Sequence, residues 1–158
     1  VVRLVGSEMC IRDRIYGNGP KNKEESKLFS TELKSKSLKG GYDLIYDPIG
    51  DCYAEPAFRS IGWKGRYLVV GFAAGEIPRL PINLALLKGA SIVGVFWGSF
   101  TGREMNVNHE NIQDINLMLS RKEIKPLISK TFPMHKAIDA ISMIGNRGVI
   151  GKVVLLNN

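Results

Sequence analysis

The side chains that could do chemistry here are few, and their spacing excludes more than it assigns. Cys10 and Cys52 are the only cysteines. They stand far apart, with no CxxC pair and no histidine nearby, which excludes a disulfide framework and any recognisable zinc spacing. His109 and His135 each read as opening a helix, and no Ser/His/Asp set stands out. Asp43, Asp47 and Asp51 recur every four residues in YDLIYDPIGD. The proline and glycines among them suit turns and solvent contacts and do not match a calcium loop. Arg147 and Lys152 lie in NRGVIGK, where glycines allow a backbone to approach a phosphate. A helix-exit turn with solvated cations explains the same pattern. Gly71-Phe-Ala-Ala-Gly75 bears glycines but is no GxGxxG, and it leads into prolines instead of a helix. Phe96 and Trp97, followed by GSFTG, read equally as core aromatics or as walls for a flat ring.

These residues need elements to place them, and the organising stretch is Arg66 to Gly98. Arg66 to Val70 is a continuous apolar run of the kind buried on both faces of a parallel sheet. A long irregular loop follows, then a short helix from Leu84 to Lys88, capped by Asn83 and closed by Gly89. Ala90 to Trp97 reads as the next buried strand, and Gly94 within it suggests a second backbone packed close by. In an open parallel sheet, ligands sit beyond the carboxyl ends of the strands. Gly71-Phe72-Ala73 and Phe96-Trp97-Gly98 are the two such ends.

Upstream, Tyr42 to Ile49 is a strand candidate ended by Pro48, and Gly50-Asp51 turns the chain. Ala54, Ala57, Phe58 and Ile61 fall at i, i+3, i+4, i+7 and predict a helix over Tyr53 to Ile61, closed by Gly62. Strand, helix and strand in some thirty residues make a βαβ unit with a right-handed crossover. Lys21 to Leu38 is polar with a narrow apolar edge of Leu28, Phe29 and Leu33, a surface helix. Downstream, Thr101 to Asn108 reads as a polar connection. Glu110 to Ser120 reads as a helix, Ile128 to Phe132 as a short extended piece, Met134 to Ile144 as a helix capped by Gly145, and Gly148 to Leu156 as a last strand.

The chain of 158 residues is one domain's length or a piece of a larger one. Its net charge of +7 is uneven: Pro20 to Gly40 holds six lysines against three glutamates. Such an excess serves an acidic partner or, more ordinarily, a solvated lysine-rich helix. No apolar run reaches the roughly 18 residues of a membrane span, and no secretory signal opens the chain. With so little cysteine, this fits a soluble cytoplasmic protein, or one in an organelle. Residues 1–14 match nothing that follows. Their tail, SEMCIRDR, looks like translated sequencing-adaptor DNA. On that reading Val1 to Arg14 are not native, and the chain, which opens on Val1 and not on methionine, is the C-terminal part of a longer protein.

From Tyr42 to Leu156 the sequence resembles the C-terminal part of a medium-chain dehydrogenase/reductase of the zinc-independent quinone oxidoreductase branch. The pieces that carry the resemblance are YDPIG, WKGRYLVVGFAAGEIP, LLKGASIVGVFWG, EIKPLISKTFPMHKAIDAI and RGVIGKVVLL, in that order. The resemblance implies an α/β fold. Residues 15–107 would give the later part of a Rossmann-type parallel sheet with flanking helices, and residues 108–158 the helices and strand that return to a catalytic domain. It implies NADPH as cofactor and hydride transfer to a quinone or an α,β-unsaturated carbonyl. By the same resemblance Gly71, Phe72 and Ala73 line the nicotinamide side through backbone groups, with Phe96, Trp97 and Gly98 beside nicotinamide and substrate. Asp47 and Gly50 face the adenosine side, and Arg147, Gly151 and Lys152 belong to a closing motif that touches the cofactor. No catalytic residue and no metal ligand is assigned. Asp51 stands where the branch often has a second glycine. The phosphate-gripping loop would lie upstream, so the 158 residues alone are expected to bind NADPH poorly and not to turn over. Relatives pair along the strand that matches Ala90 to Trp97, which implies a homodimer. The competing readings are a non-catalytic relative that turns Lys21 to Lys39 toward nucleic acid, and a zinc alcohol dehydrogenase or enoyl reductase of the same superfamily.

Overall fold

The computed structural model describes residues 19–146 and 149–157, together with the backbone of Val2–Arg3. Arg147 and most of the adaptor-like segment lie outside the described residues. The chain divides into two compact units, Val1–Gly98 and Ser99–Asn158.

The first unit is built on parallel strands: β1 (Val2–Arg3), β2 (Tyr42–Asp47), β3 (Ile61–Val69) and β4 (Ser91–Gly94), in that spatial order. Helices α1 (Lys23–Ser35), α2 (Asp51–Arg59) and α3 (Asn83–Lys88) precede or join them. Sequential neighbours in parallel register form the βαβαβ run of a doubly wound sheet. The core explains why these segments take these forms. Phe29 and Leu33 of α1, Ala54, Ala57 and Phe58 of α2, Ile45 of β2, and Ile61 and Tyr67 of β3 make one buried cluster. Phe58 meets Tyr67 edge to face at 5.4 Å, a favoured geometry for aromatic pairs. Asn22 caps α1 by accepting from the Glu25 backbone N–H at 2.9 Å, which satisfies one orphan donor of the first turn. Leu28, read as part of the apolar edge, points to solvent.

Several sequence expectations are corrected. Helix α2 ends at Ser60, whose hydroxyl donates to the Ala57 carbonyl at 2.6 Å, so Gly62 does not close it. Ile61 instead opens β3, because Gly41 and Gly62 let the backbones of β2 and β3 meet: a methyl on Gly41 would sit 2.7 Å from Gly62 Cα. The ladder then jumps from Tyr42–Ile61 to Leu44–Arg66, and Lys64 takes up the slack at φ 58. β3 buries Tyr67 but leaves Arg66 exposed and Leu68 half-buried, so it is not covered on both faces here. Asn83 is the first residue of α3 and not its cap, while Gly89 closes it at φ 54, in the left-handed region. β4 stops at Gly94, where its ladder partner Val69 ends β3. All four of its residues are exposed, and nothing described lies within 4 Å of a methyl placed on Gly94. The expected close backbone is therefore absent among the described residues. Trp97 does not end a strand; it starts α4 (Trp97–Arg103).

In the second unit, the expected polar connection is helical. Arg103 Nε donates to Ser99 Oγ at 3.0 Å within α4, and α5 spans Met105–Ser120. His109 sits inside α5, bonded to Gln113 at 2.9 Å, and does not open it. β5 (Ile128–Pro133) pairs in parallel with β6 (Lys152–Leu156). A 3-10 turn (Met134–Lys136) leads into α6 (Ala137–Gly145), which ends at Asn146 and so runs through Gly145. Phe132 and Ala140 are buried there.

Candidate functional site

The carboxyl ends of β2 and β3 are joined into one structure by a buried carboxylate. Asp47, 3% exposed, is the last residue of β2. One of its oxygens accepts from the backbone N–H groups of Ile49 (2.8 Å) and Gly50 (2.9 Å), which folds the Pro48–Gly50 turn. The other accepts the hydroxyl of Tyr67 from β3. Burial, first, and then the bond and charge of Asp47 push the Tyr67 hydroxyl far above its ordinary range. The Asp47 side chain is thus engaged inside the protein. What it contributes at this edge is the shape of a turn.

That turn holds the next loop. The N–H groups of Val70 (2.9 Å) and Gly71 (3.4 Å) donate to the Asp47 carbonyl. Ala73 donates to Pro48 and Ala74 to Ile49, both at 3.0 Å. Gly50, at φ 71, lies under Phe72, and a methyl there would stand 2.8 Å from the Phe72 ring. The expectation that Gly71 to Ala73 offer backbone groups to a ligand therefore narrows. The N–H groups of Gly71 and Ala73 already have partners, the Phe72 carbonyl accepts from Gly75 at 3.0 Å, and the Phe72 ring is partly open to solvent. Asp51, at φ 50, continues the turn and donates its N–H to the Glu76 carbonyl at 3.2 Å. A glycine in that place would adopt the same backbone without strain.

Val95 donates to the Val69 carbonyl at 2.8 Å, so the segment after β4 leaves the sheet beside the β3 end. Phe96 and Trp97 are 78% and 68% exposed. They are not core aromatics in this chain, and their faces are free for a flat ring.

Gly151 and Lys152 belong to the second unit. Gly151 has φ 95, and a methyl on it would collide with the Leu127 carbonyl oxygen. Lys152 donates its backbone N–H to that same carbonyl at 2.8 Å. The close approach that these glycines permit is to Leu127. This gives Gly151 a local structural reason independent of any ligand.

The residues fit one edge of a dinucleotide. Adjacent parallel strand ends carry glycine turns and exposed aromatic faces, the place where doubly wound sheets bind nucleotides. They do not fit a zinc ion: among the described residues no group of three His, Cys, Asp or Glu is placed to hold a metal. Among the described residues no helix is long and apolar enough to cross a membrane.

Residues 23–155 match the family described as zinc-binding dehydrogenase. The chain is 33% identical over 125 residues to quinone oxidoreductase-like protein 2 homolog of Nematostella vectensis, covering 77% of this chain and 34% of that protein. Quinone oxidoreductase-like protein 2 of Bos taurus is likewise 33% identical, over 73% of this chain and 33% of its own length. The chain thus spans about a third of the length of the curated relatives it matches. Among solved structures, the quinone oxidoreductase of Thermus thermophilus, also solved with NADPH, superposes with a TM-score of 0.63 at 26% identity, over 74% of this chain and 38% of that one. A mycobacterial protein complexed with NADPH shares the fold, with a TM-score of 0.67 at 20% identity, over 87% of this chain and 41% of that one.

Proposed function

Because the chain belongs to the zinc-binding dehydrogenase family, in the quinone oxidoreductase branch of the medium-chain dehydrogenase/reductase superfamily, we propose that it carries the nicotinamide edge of an NADPH site in an oxidoreductase that reduces quinones or α,β-unsaturated carbonyls. The observation that supports this most is the joined pair of loops at the β2 and β3 ends, tied by Asp47 and Tyr67 and presenting Gly71, Phe72 and Ala73. NADPH, when bound, supplies the hydride, and the acceptor takes its proton from solvent. The chain's part is to orient the ring and keep water away. In this reading Phe72, Phe96 and Trp97 offer apolar faces to the nicotinamide and acceptor, and Gly50 and Gly71 keep side chains out of the cofactor's path. Gly151, Lys152 and Arg147 would add the closing contacts.

β4 is the terminal strand of its sheet, and Ile92 and Val93 on it are exposed. An uncovered apolar edge invites strand pairing. A homodimer through the stretch from Ala90 to Trp97 satisfies it, in a protein that works in the cytoplasm. The test of the activity is NADPH oxidation with a quinone as acceptor, measured on a polypeptide carrying these residues at the full length of its relatives. Quinone-dependent oxidation is expected. A folded protein that binds NADPH yet reduces neither quinones nor enones would overturn the assignment.

A further inference from the structure

A groove of about 1100 Å³ runs along the outside of the first unit, between one face of α1 and one face of α2. Lys23, Lys27, Ser30 and Lys34 of α1 line it, at helical spacing. Asp51, Glu55 and Arg59 face them from α2 at intervals of four. None of Gly71, Phe72 or Ala73 lines it, so it is not the nicotinamide edge.

Its charge is lopsided: among the described residues seven cations line it against the three carboxylates Asp51, Glu55 and Glu76. Two of the cations are already engaged. Arg59 pairs with Glu55 at 2.6 Å, and Lys88 Nζ donates to the carbonyls of Arg59 (2.9 Å) and Ile61 (2.5 Å). The other five, Lys21, Lys23, Lys27, Lys34 and Arg79, make no ion pair among the described residues. Lys88 is held below its ordinary range by burial and then by the nearby charges of Lys34 and Arg59, which marks the positive field of the groove. A second observation is independent of charge. Ser30 is 5% exposed and lines the groove, yet its hydroxyl has no partner among the described residues, whereas neighbouring Thr31 bonds the Lys27 carbonyl at 2.9 Å. Buried hydroxyls are nearly always satisfied, which leaves the Ser30 hydroxyl available to a ligand of the groove.

We propose that this groove binds a small extended polyanion, a chain of phosphates, with Ser30 donating to one phosphate oxygen and the unpaired lysines and Arg79 neutralising the rest. Lys27 and Lys34 are two turns apart, about 10 Å along the helix, so a chain of phosphates spans cations that one orthophosphate leaves apart. Among the described residues no aromatic side chain lines the groove. These residues offer no stacking platform of the kind by which single-stranded nucleic acids are held.

The test is calorimetric titration of the whole chain with sodium tripolyphosphate at low salt, beside the exposed-site variant Lys27→Gln/Lys34→Gln and Ser30→Ala. Tripolyphosphate is expected to bind, to weaken steeply with added salt, to lose about tenfold in affinity in the double variant and a few-fold in Ser30→Ala. A nucleoside triphosphate that binds equally assigns recognition to the phosphates, and one that binds tighter assigns a nucleotide; both support the site. The double variant should keep any NADPH response at Gly71 to Ala73, which separates this proposal from the cofactor reading. Absence of binding, equal affinity for orthophosphate, unchanged affinity in the double variant, or displacement by single-stranded RNA at far lower concentration would each overturn it.

Discussion

Tyr67→Phe tests the buried joint between β2 and β3 with a single oxygen removed. Tyr67 is 1% exposed, so the substitution leaves no water to replace the lost hydroxyl. The Asp47 oxygen that accepted it would then be buried without that partner, while its other oxygen keeps Ile49 and Gly50. A hydrogen bond to a charged group is worth about 1.5–3 kcal/mol net. In a chain of this length each kcal/mol moves the midpoint by about 2–4 °C, so the Tm should fall by roughly 3–12 °C. The packing of the ring on Phe58 survives, so little else contributes. The pH dependence carries the same signature. The folded hydroxyl is held above its ordinary value of 10.0, so folding retains its proton. The stabilisation is complete below about pH 10 and is lost as pH rises beyond it, at up to about 1.4 kcal/mol per pH unit. A phenylalanine ring cannot titrate, so the variant should lose that tyrosine's share of the alkaline decline. Thermal melts of both proteins from pH 7 to 11, with Asp47→Asn and the double variant to close a cycle, measure both effects. A Tyr67→Phe protein within 0.5 kcal/mol of the parent, or one with the same alkaline limb, would refute the joint.

Gly50→Ala should cost about 2 kcal/mol, from a methyl against the Phe72 ring and a left-handed backbone, and Phe72→Ala should recover only the contact part of it in a double-mutant cycle. Asp51→Gly should change stability by less than about 1 kcal/mol, while Asp51→Val at φ 50 should cost about 1–2 kcal/mol; urea unfolding distinguishes them. Gly151→Ala should destabilise the β5–β6 pair by about 2 kcal/mol or more, read as faster amide exchange at Val153 to Leu155, because its methyl meets the Leu127 backbone.

The parts of the fold legible in the sequence are those set by local pattern. The Ala54, Ala57, Phe58 periodicity marked α2, and YDLIYD marked β2, because both signals lie within a few residues. What failed was decided across the sheet. SIVGVFWG is apolar throughout, yet the strand within it ends at Gly94 where its neighbour ends, and the remaining residues turn into a helix. Ile61 reads as the end of a helix because the meeting of Gly41 with Gly62 is invisible along the chain. The β5–β6 pairing joins residues some twenty apart and has no local mark. At the site, the glycine turns and exposed aromatics were visible as residue types. The role of Asp47 was not, since it depends on a tyrosine twenty positions later on another strand. The groove was visible only as a run of lysines; its unsatisfied Ser30 emerges once α1 and α2 lie side by side.

The most direct measurement of the central claim is amide chemical-shift mapping of the 158-residue chain with NADPH added to millimolar concentration. Weak binding is expected, with shifts concentrated at Gly50, at Gly71 to Ala73 and at Phe96 to Gly98, the carboxyl edge of the parallel sheet. A folded chain showing no shifts at that edge would contradict it.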